Sequence, residues 1–500
     1  MGEQLEIETK YEVDDAVAAP DLTNVPGVAS TSTDEVFHLN ATYFDTEALD
    51  LASRRITLRR RLGGKDDGWH LKLPAGDERR EVTVPLLAED GSLLGADDVP
   101  AELATRVLVY TRLRPLVPIA IVENERHTTY AHAPDGEALG ELADDHVHTI
   151  SLLPGGDEKT WREWEFEVPD TDGGRATAVA VGRALKAAGA HEAHSASKLA
   201  RAIDSEPEAP APSLPRKAKA SRAPASRLLV AALARSRDRL LTHDPLVRAR
   251  ADDAVHQMRV ATRQLRSILS EYGAYFAGPS PAALSTELRS LAVVLGGVRD
   301  AEVLVQRFTG LAQVEPSLSG AATLLADRQA AQEVAAWDRV DAYLTSDRYF
   351  ALLDAVDATI DDPPTTKRAA KAAEDTVVPL LRKRIRTFAK DATHVLTAPG
   401  ATDRDVHAVR KRAKKLRYAA AVPEPALDKQ ARQSLTGLAA VQQRLGEFQD
   451  AHIARDAIAA VDIASLDAAT AFELGRLDAI EERRTVDARA ALPGLLRRLR

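Results

Sequence analysis

The 500-residue sequence contains no cysteine and only two methionines, and aromatic residues make up 4% of it. Without cysteine there are no disulfides, thiolate metal sites or cysteine nucleophiles, and the chain suits a reducing compartment. No run of about 18 or more apolar residues is present. The first residues, MGEQLEIETK, are charged where a signal peptide would be apolar. These absences predict a soluble, cytoplasmic protein with no membrane partner.

Charge is distributed unevenly along the chain. Residues 1–204 carry 21 basic and 38 acidic side chains, a net charge of −17, and of the 66 basic and 75 acidic in total this leaves 45 and 37, a net charge of +8, for 205–500. The stretch SEPEAPAPSLPRKAKASRAP at 205–224 is rich in proline, alanine and charge, which is typical of a solvated linker. The sequence therefore predicts an acidic domain at 1–204, a linker at 205–224 and a basic domain at 225–500.

The two halves differ in periodicity. Short alternating runs with proline and glycine between them predict strands in the first half, and long 3.6-residue patterns predict helices throughout the second. Three segments of the helical half recur at offsets of 151, 150 and 147: VHQMRVATRQLRSIL at 255 as VHAVRKRAKKLRYAA at 406, LGGVRDAEVL at 295 as LGEFQDAHIA at 445, and RSRDR at 235 as RKRIR at 382. The repeat predicts two bundles of about four helices, at about 225–370 and 371–500.

Each copy of the repeat places one histidine and three cations on one helical face, because offsets of about 3, 7 and 10 residues share a face. The stripe is either the solvated side of an amphipathic helix or a binding surface. A solvated face normally mixes signs, whereas these stripes repel themselves, which favours an anionic ligand. The predicted groove residues are His256, Arg259, Arg263 and Arg266, their counterparts His407, Arg410, Lys414 and Arg417, and the flanking Arg235, Arg239, Arg382 and Arg386.

The groove has only Tyr418 near it, whereas nucleic-acid sites usually add aromatic platforms. This favours a polyanion with phosphates and no bases, so no nucleic-acid partner is expected. A histidine helix followed by an aspartate-containing segment, present in both copies, resembles the CHAD (conserved histidine α-helical) domain over about 220–500. The resemblance implies two four-helix bundles that bind inorganic polyphosphate, and we expect Asp300 and Asp450 to cap or orient cations. The histidines serve either as cationic donors or in a structural role.

Several predicted strands of the first half have one apolar and one charged face. In LEIETKY at 5–11, side chains alternate, so Glu6, Glu8 and Lys10 share a face. Exposed strands of an antiparallel sheet also look like this. In a closed antiparallel barrel, however, the charged faces would converge inside and the apolar faces would pack on covering helices. The same alternation occurs at Arg59 and Arg61, His70 and Lys72, Arg112 and Arg114, and Glu163, Glu165 and Glu167.

The two signs of charge indicate different chemical roles. Glutamates provide hard oxygen ligands for Mg²⁺ or Mn²⁺. Arginine and lysine suit phosphate oxygens, as bidentate and point-charge partners respectively. Metal binding and neutralisation of phosphate charge are together what phosphoryl transfer requires.

These segments resemble the CYTH, or triphosphate tunnel metalloenzyme, family over about 1–204. The opening Glu-x-Glu-x-Lys is present, followed by YFDT at 43–46, LRRR at 58–61, LKLP at 71–74 and SKLAR at 197–201. The resemblance implies metal binding by Glu6, Glu8, Glu163, Glu165 and Glu167. It implies triphosphate binding by Lys10, Arg59, Arg61, Lys72, Arg112, Arg114, Arg126 and Lys198. The resemblance also implies a further metal-site acid at either Asp144 or Asp145, and the sequence does not choose between them.

The expected fold is therefore α+β: a closed antiparallel barrel with covering helices, then an all-α duplicated bundle. The expected activity is metal-dependent hydrolysis of inorganic triphosphate or of polyphosphate ends, with Glu6, Glu8 and Lys10 as catalytic residues. The helical domain would tether polyphosphate, and association with polyphosphate granules is a further expectation. Other possibilities are an adenylate cyclase, a thiamine triphosphatase, or a non-catalytic polyphosphate-binding or granule-targeting protein.

Overall fold

The computed structural model describes residues 2–33, 36–75, 78–86, 99–169, 171–195, 197–204, 220–398 and 400–499, with the backbone alone at 2–6, 75, 78 and 172. The chain divides into two compact units, which we call the sheet unit (Met1–Ala209) and the helical unit (Pro210–Arg500). Residues 205–219 of the expected linker lie outside the described residues. Its last residues fold with the helical unit, because Ala220 is buried and the backbone N–H of Ala373 donates to the Ala223 carbonyl.

The sheet unit is built on one antiparallel sheet. Within the described residues its strands are β1 (Gly2–Val13), β2 (Ser30–Thr33), β3 (Phe37–Asp45), β4 (Thr57–Leu62), β5 (Gly68–Ala75), β6 (Glu78–Pro85), β7 (Val117–His132), β8 (Ala138–Ser151), β9 (Glu158–Val168) and β10 (His191–Glu192). Neighbours follow the order β10-β1-β6-β5-β4-β3-β7-β8-β9, with β2 on β7 and a further pairing of β1 with β9.

The two ends of the sheet meet at β1. Its first half, Gly2–Glu6, pairs with β6, and its second half, Ile7–Val13, pairs with β9. These two sets of partners do not overlap along the strand. The sheet is therefore curled into a tunnel but is not the closed barrel expected from the sequence.

Apolar side chains on the outer face of the sheet pack on two helices, α1 (Ala101–Thr111) and α2 (Asp172–Ala187). One cluster joins Trp69, Leu71 and Val82 of the sheet to Leu103 and Val107 of α1. A second joins β1, β8 and β9 to the apolar side of α2. Because strand side chains alternate, burying this outer face turns the charged residues inward.

A short helix, α3 (Lys198–Ala202), packs inside the tunnel. Its N-cap is Ser197, whose hydroxyl accepts a hydrogen bond from the backbone N–H of Ala200. Leu199, Ala202 and Ile203 are buried against inward-facing residues of the wall, which are Ala41, Tyr43, Val122, Val147 and Trp161. The first residue of the helix, Lys198, is left facing the polar part of the tunnel.

The helical unit contains the helices α4 (Ala225–Arg248), α5 (Ala254–Glu271), α6 (Ser280–Val314), α7 (Ser319–Leu344), α8 (Asp347–Asp361), α9 (Val377–Thr397), α10 (Asp403–Ala419), α11 (Lys429–Ala459) and α12 (Ala468–Arg497) in its described part. The repeated segments fall on corresponding helices, with α4, α5 and α6 matching α9, α10 and α11. The first copy has one helix more than the four expected, α8.

The histidine helices of the two copies, α5 and α10, pack against each other. The hydroxyl of Tyr272 donates to the Ala419 carbonyl at 3.1 Å. The carboxylate of Glu271, at the end of α5, is buried and pairs with Lys415 of α10 at 2.7 Å and with Arg384 of α9. These contacts bring the two repeated stripes side by side. No helix in the described ranges is long and apolar enough to cross a membrane.

We predict that Leu58→Ala destabilises the sheet unit by about 2–5 kcal/mol, because Leu58 is fully buried in the cluster under α1. The control Leu62→Ala, on the same strand but 39% exposed, should cost less than about 1 kcal/mol. Urea unfolding followed by tryptophan fluorescence measures both, since the sheet unit contains Trp69, Trp161 and Trp164. Equal losses in the two variants would contradict the placement of Leu58.

Candidate active site

The tunnel encloses a cavity of about 280 Å³ whose polar lining is divided by charge. Four of the six acidic side chains come from β1, β8 and β9, and four of the eight basic ones come from β4, β5 and β6. The ionisable residues that line the cavity are Glu8, Lys10, Arg59, Arg61, Lys65, Asp66, Lys72, Arg79, Glu81, Arg126, Glu141, Glu165, Glu167 and Lys198.

The acidic side is set by strand register. Lys10 lies directly opposite Glu165 in the β1–β9 pairing, and Asp145 lies opposite Glu163 in the β8–β9 pairing. In both pairings Glu167 faces another carboxylate, Glu8 on β1 and Glu141 on β8. Opposed like charges are destabilising unless a cation or ligand neutralises them.

Three cations reach these carboxylates. The Lys198 ammonium lies 2.8, 2.6 and 2.7 Å from oxygens of Asp145, Glu163 and Glu165. The Arg126 guanidinium donates two hydrogen bonds to Asp145, at 2.7 and 2.6 Å, and one to Glu165 at 2.8 Å. Lys10 pairs with Glu165 and lies 3.5 Å from Glu8. We call Lys198, Arg126, Asp145, Glu163 and Glu165 the charged cluster.

The charges of the cluster and of the neighbouring Lys10 fix the ionisation of these side chains. Burial raises the pKa of Asp145, but the charges of Lys198 and Arg126 outweigh it and bring the pKa to about 2. Burial likewise opposes ionisation of Glu165, and Lys10, Lys198 and Arg126 hold its pKa well below the usual value. Burial lowers the pKa of Lys10, but the nearby Glu165 and Glu8 raise it above the ordinary value. Asp145 and Glu165 are therefore anionic, and Lys10 cationic, at neutral pH.

The acids of the charged cluster have the donor set for a divalent ion. Asp145, Glu163 and Glu165 each offer one oxygen, and the three oxygens lie within 4.8 Å of one another. Carboxylate oxygens suit Mg²⁺ and Mn²⁺. Lys198 contacts the same three side chains, so the ammonium and a divalent ion are alternative partners for them.

The other expected metal ligands are placed differently. Glu8 and Glu167 line the cavity next to Lys10 and Glu165. The side chain of Glu6 lies outside the described residues. Of the two candidate aspartates, only Asp145 has its side chain buried on the inner side of the sheet. Asp144 faces outward and pairs with Arg162 at 2.8 and 2.7 Å.

On the basic side, Arg59, Arg61 and Lys72 line the cavity. Arg59 donates to the Tyr43 hydroxyl at 3.2 Å, and Lys72 lies 3.9 Å from Glu81. Burial and the neighbouring charges of Arg59 and Arg126 lower the pKa of Arg61 to about 9. Arg61 also pairs with Asp66, and the crowding of these cations favours a further anionic partner.

Two expected phosphate ligands are not in the tunnel wall. The strand predicted around Arg112 and Arg114 is wrong, because helix α1 ends there: Arg112 has φ 51° and Leu113 has φ 67°. Arg114 is half-exposed and pairs with Asp50 at 2.7 Å. Arg126, in contrast, lines the cavity, since the even-numbered residues of β7 face inward while Glu123 and Glu125 face outward.

Several further ionisable residues belong to the cavity although the sequence did not indicate them. Glu81 is buried beside His70, whose Nδ1 lies 3.0 Å from the carboxylate. Burial raises the pKa of Glu81, but the His70 hydrogen bond and Lys72 bring it to about 2. The alternation of Arg79, Glu81 and Thr83 with the buried Val82 and Val84 could have identified it. The other additions are Tyr43, Lys65, Asp66, Arg79 and Glu141.

In the helical unit, four cations of the two stripes lie within electrostatic range of one another. Arg259 and Arg263 come from α5, and Arg410 and Lys414 come from α10. Arg259 is buried and donates to the Leu295 carbonyl at 3.0 Å and to the carboxylate of Asp300 at 3.4 Å. Asp300 thus orients a basic side chain, as the sequence indicated.

This basic cluster (Arg259, Arg263, Arg410 and Lys414) carries more positive charge than its surroundings offset. Burial and the charges of Arg410 and Arg263 lower the pKa of Lys414 to about 7, although Asp450 acts in the opposite direction. Burial and Arg263 lower the pKa of Arg259 to about 10. An anionic ligand would remove this electrostatic cost.

The remaining predicted groove residues are more dispersed. His256 and Arg266 are half-buried, and burial lowers the pKa of each. His407 contacts the side-chain oxygen of Gln449 through Nδ1, and Arg417 is exposed. The flanking arginines have other neighbours: Arg235 donates to the Ala421 carbonyl, Arg239 to Gln257 and Arg382 to Asp428, while Arg386 is exposed.

The sequence matches two domain families, the CYTH domain over residues 4–202 and the CHAD domain over residues 231–459. It is also 36% identical to an uncharacterized protein of Mycobacterium tuberculosis over 470 residues, 90% of this chain and 88% of the relative. The chain therefore belongs to the family of proteins that join a CYTH domain to a CHAD domain. CYTH tunnel enzymes are metal-dependent and bind triphosphates, so the sheet unit is of the triphosphate tunnel class.

The solved structures that are similar to part of the chain include the following two. PptA from Streptomyces chartreusis is 19% identical and covers 55% of this chain and 100% of its own, with a TM-score of 0.45. The CHAD domain from the plant Ricinus communis is 24% identical and covers 56% of this chain and 94% of its own, with a TM-score of 0.44.

We predict that Asp145→Asn weakens Mn²⁺ binding by about tenfold or more, because it removes one of three clustered carboxylates. The matched control is Asp144→Asn, on the outer face, which should change the affinity less than about threefold. Isothermal titration of each variant with Mn²⁺ gives the comparison. An equal loss in both variants would argue against the cluster as the ion site.

Proposed function

We propose that the sheet unit hydrolyses inorganic triphosphate, releasing the terminal phosphate, with Mg²⁺ or Mn²⁺ held by Asp145, Glu163 and Glu165. The observation that carries the proposal is one small cavity lined by both acids and cations, with the buried acids Asp145 and Glu163 next to its lining residue Glu165. A triphosphate needs both, since cations bind its oxygens while carboxylates hold the ion that accompanies it.

Within this proposal, the helical unit of the same chain favours inorganic triphosphate over ATP and thiamine triphosphate. The basic cluster of that unit has few aromatic neighbours, which suits polyanions with phosphates and no bases. A phosphate-only substrate for the tunnel is consistent with such a partner.

The basic side chains have distinct tasks in this proposal. Arg59, Arg61 and Lys72 bind phosphate oxygens and stabilise the charge that develops on them. Arg126 contacts Asp145 and Glu165, so it lies between the two sides of the tunnel and positions them relative to each other. When bound, the divalent ion would supply Lewis-acid polarisation of phosphate and water.

Lys10 and Glu8 are the residues placed to order water. The raised pKa of Lys10 keeps it protonated, so it acts as a hydrogen-bond donor and not as a base. Burial raises the pKa of Glu8, but Lys10 and other cations lower it below the ordinary value, so Glu8 is an acceptor at neutral pH. A donor and an acceptor about 3.5 Å apart can orient one water molecule between them and the substrate.

For the helical unit we propose polyphosphate binding at the basic cluster. Its support is the unbalanced charge of Arg259, Arg263, Arg410 and Lys414, together with membership of the CHAD domain family. A flexible polyanion can neutralise several cations at once and release counterions, which matches a cluster with few aromatic neighbours.

Neighbouring residues of β4 point to opposite faces of the sheet, so substituting each of them tests whether the tunnel is the active site. We expect Arg59→Ala to lower kcat/KM for inorganic triphosphate by about 100-fold or more, because Arg59 faces the cavity. Arg60→Ala, one residue away and facing out of the tunnel, should lower it less than about threefold. Steady-state phosphate release measures both. If the two variants lost activity equally, β4 would not present Arg59 to the substrate.

The basic cluster predicts a pH effect on polyphosphate binding. With a pKa of about 7, Lys414 is protonated below neutral pH and neutral above it, so affinity should fall as the pH rises through 7. Losing one charge-assisted hydrogen bond, about 1.5 kcal/mol, corresponds to roughly tenfold in affinity.

Lys414→Arg should flatten this pH dependence, because arginine stays charged. The control Lys411→Arg, an exposed lysine on the same helix, should leave it unchanged. Fluorescence anisotropy of labelled polyphosphate between about pH 6 and pH 9 gives the profiles. The same slope in Lys414→Arg as in the wild type would show that Lys414 is not the titrating contact.

A further inference from the structure

The outer face of the sheet carries a group of histidines that the tunnel chemistry does not use. His38 on β3, His127 on β7 and His146 on β8 project from the side opposite the cavity, together with Glu125 of β7. All four are solvent-accessible, with side-chain exposures of 46–78%. Histidine and glutamate are also the side chains from which proteins build zinc sites.

Strand pairing makes these four residues neighbours. Glu125 lies directly opposite His38 on one side and His146 on the other. His127 is two residues further along the same strand and therefore on the same face. Directly opposed residues have Cβ atoms about 4.5–5.5 Å apart, so Glu125 is central to the group.

Two of the histidines already contact Glu125, and the third lies next to His127. The Nε2 atom of His127 lies 3.0 Å from Oε1 of Glu125, and Nδ1 of His38 lies 3.9 Å from Oε2 of the same carboxylate. The ring centroids of His127 and His146 are 5.8 Å apart. Two imidazoles on one tetrahedral ion, each bound at about 2.0–2.1 Å, have centroids roughly 5 Å apart. Binding one ion would require these exposed side chains to rotate until their ligand atoms converge.

We propose that His38, Glu125, His127 and His146 form a second metal site, on the outer face of the sheet, for a divalent transition ion of the zinc class. Imidazole nitrogens favour Zn²⁺, Ni²⁺ or Cu²⁺, whereas the all-oxygen cluster inside the tunnel favours Mg²⁺ or Mn²⁺. The two sites would therefore differ in metal preference although they use adjacent residues of the same strands.

A supporting carboxylate is present beside the group. Asp144 lies directly opposite His127, and its Oδ1 lies 3.9 Å from Nε2 of His146. Asp144 is itself held by Arg162. Carboxylates next to metal-bound histidines orient the ring and strengthen the nitrogen ligand.

An ion at this site would join β3, β7 and β8 from the outside. Glu125 precedes Arg126 in the chain, and His146 follows Asp145, so the outer ligands are adjacent to two residues of the charged cluster. A bound ion would therefore stabilise the strands β7 and β8, which carry Arg126 and Asp145. The expected result is a higher unfolding temperature of the sheet unit with Zn²⁺ than without it.

The test is a Zn²⁺ titration of the full chain by calorimetry, after chelator treatment and with excess Mg²⁺. The double variant His127→Asn/His146→Asn should bind this ion at least about tenfold more weakly than the wild type. Asp145→Asn, which alters only the tunnel cluster, and His243→Asn, a partly exposed histidine of α4, should both keep the wild-type affinity. Loss of the zinc-dependent thermal shift should accompany the loss of binding.

Unchanged Zn²⁺ affinity in the double variant would overturn the proposal, as would equal weakening by Asp145→Asn, which would place the ion in the tunnel. Retained Mn²⁺ binding by the double variant would show that its sheet unit is folded.

Discussion

The sheet unit depends on the neutralisation of three buried acids by the buried Lys198 and the partly buried Arg126, with Lys10 beside Glu165. Asp145, Glu163 and Glu165 could not lie together inside a protein unless Lys198 and Arg126 were within hydrogen-bonding distance. This requirement explains the inverted arrangement of the sheet: apolar residues face the covering helices, and charged residues meet in the tunnel. It also explains α3, whose apolar side anchors Lys198 to the wall.

Both units crowd buried or partly buried cations against one another. In the tunnel, Arg61 has a pKa lowered by burial and by neighbouring positive charges, and in the helical unit the same is true of Lys414. The surroundings differ in one respect. The tunnel adds a group of carboxylates to its cations, which suits metal-assisted chemistry on phosphate, whereas the basic cluster of the helical unit is suited to holding a polyanion.

Alternation along strands predicted the inward position of Arg59, Arg61 and Lys72. Each of them lies in a run long enough to show which residues share its face. It failed at Arg112 and Arg114, where two arginines around one leucine fit a helix end as well as a strand. The choice of Asp145 over Asp144, the break in the sheet at β1 and the role of Glu81 depend on register and on distant partners. A single sequence does not show which strands pair or in which register. The stripes of the helical unit were visible because the sequence repeats, but the flanking arginines are oriented by local acceptors that periodicity does not reveal.

The central claim is that the charged cluster holds the ion for triphosphate hydrolysis. It is tested most directly by phosphate release from inorganic triphosphate, ATP, thiamine triphosphate and long-chain polyphosphate, with Mg²⁺ or Mn²⁺, using the full chain and Glu165→Gln. The account predicts metal-dependent release that is fastest with inorganic triphosphate and is lost in the variant, while polyphosphate binding by the helical unit persists. No release from any substrate by the wild-type chain, or undiminished release by Glu165→Gln, would contradict it.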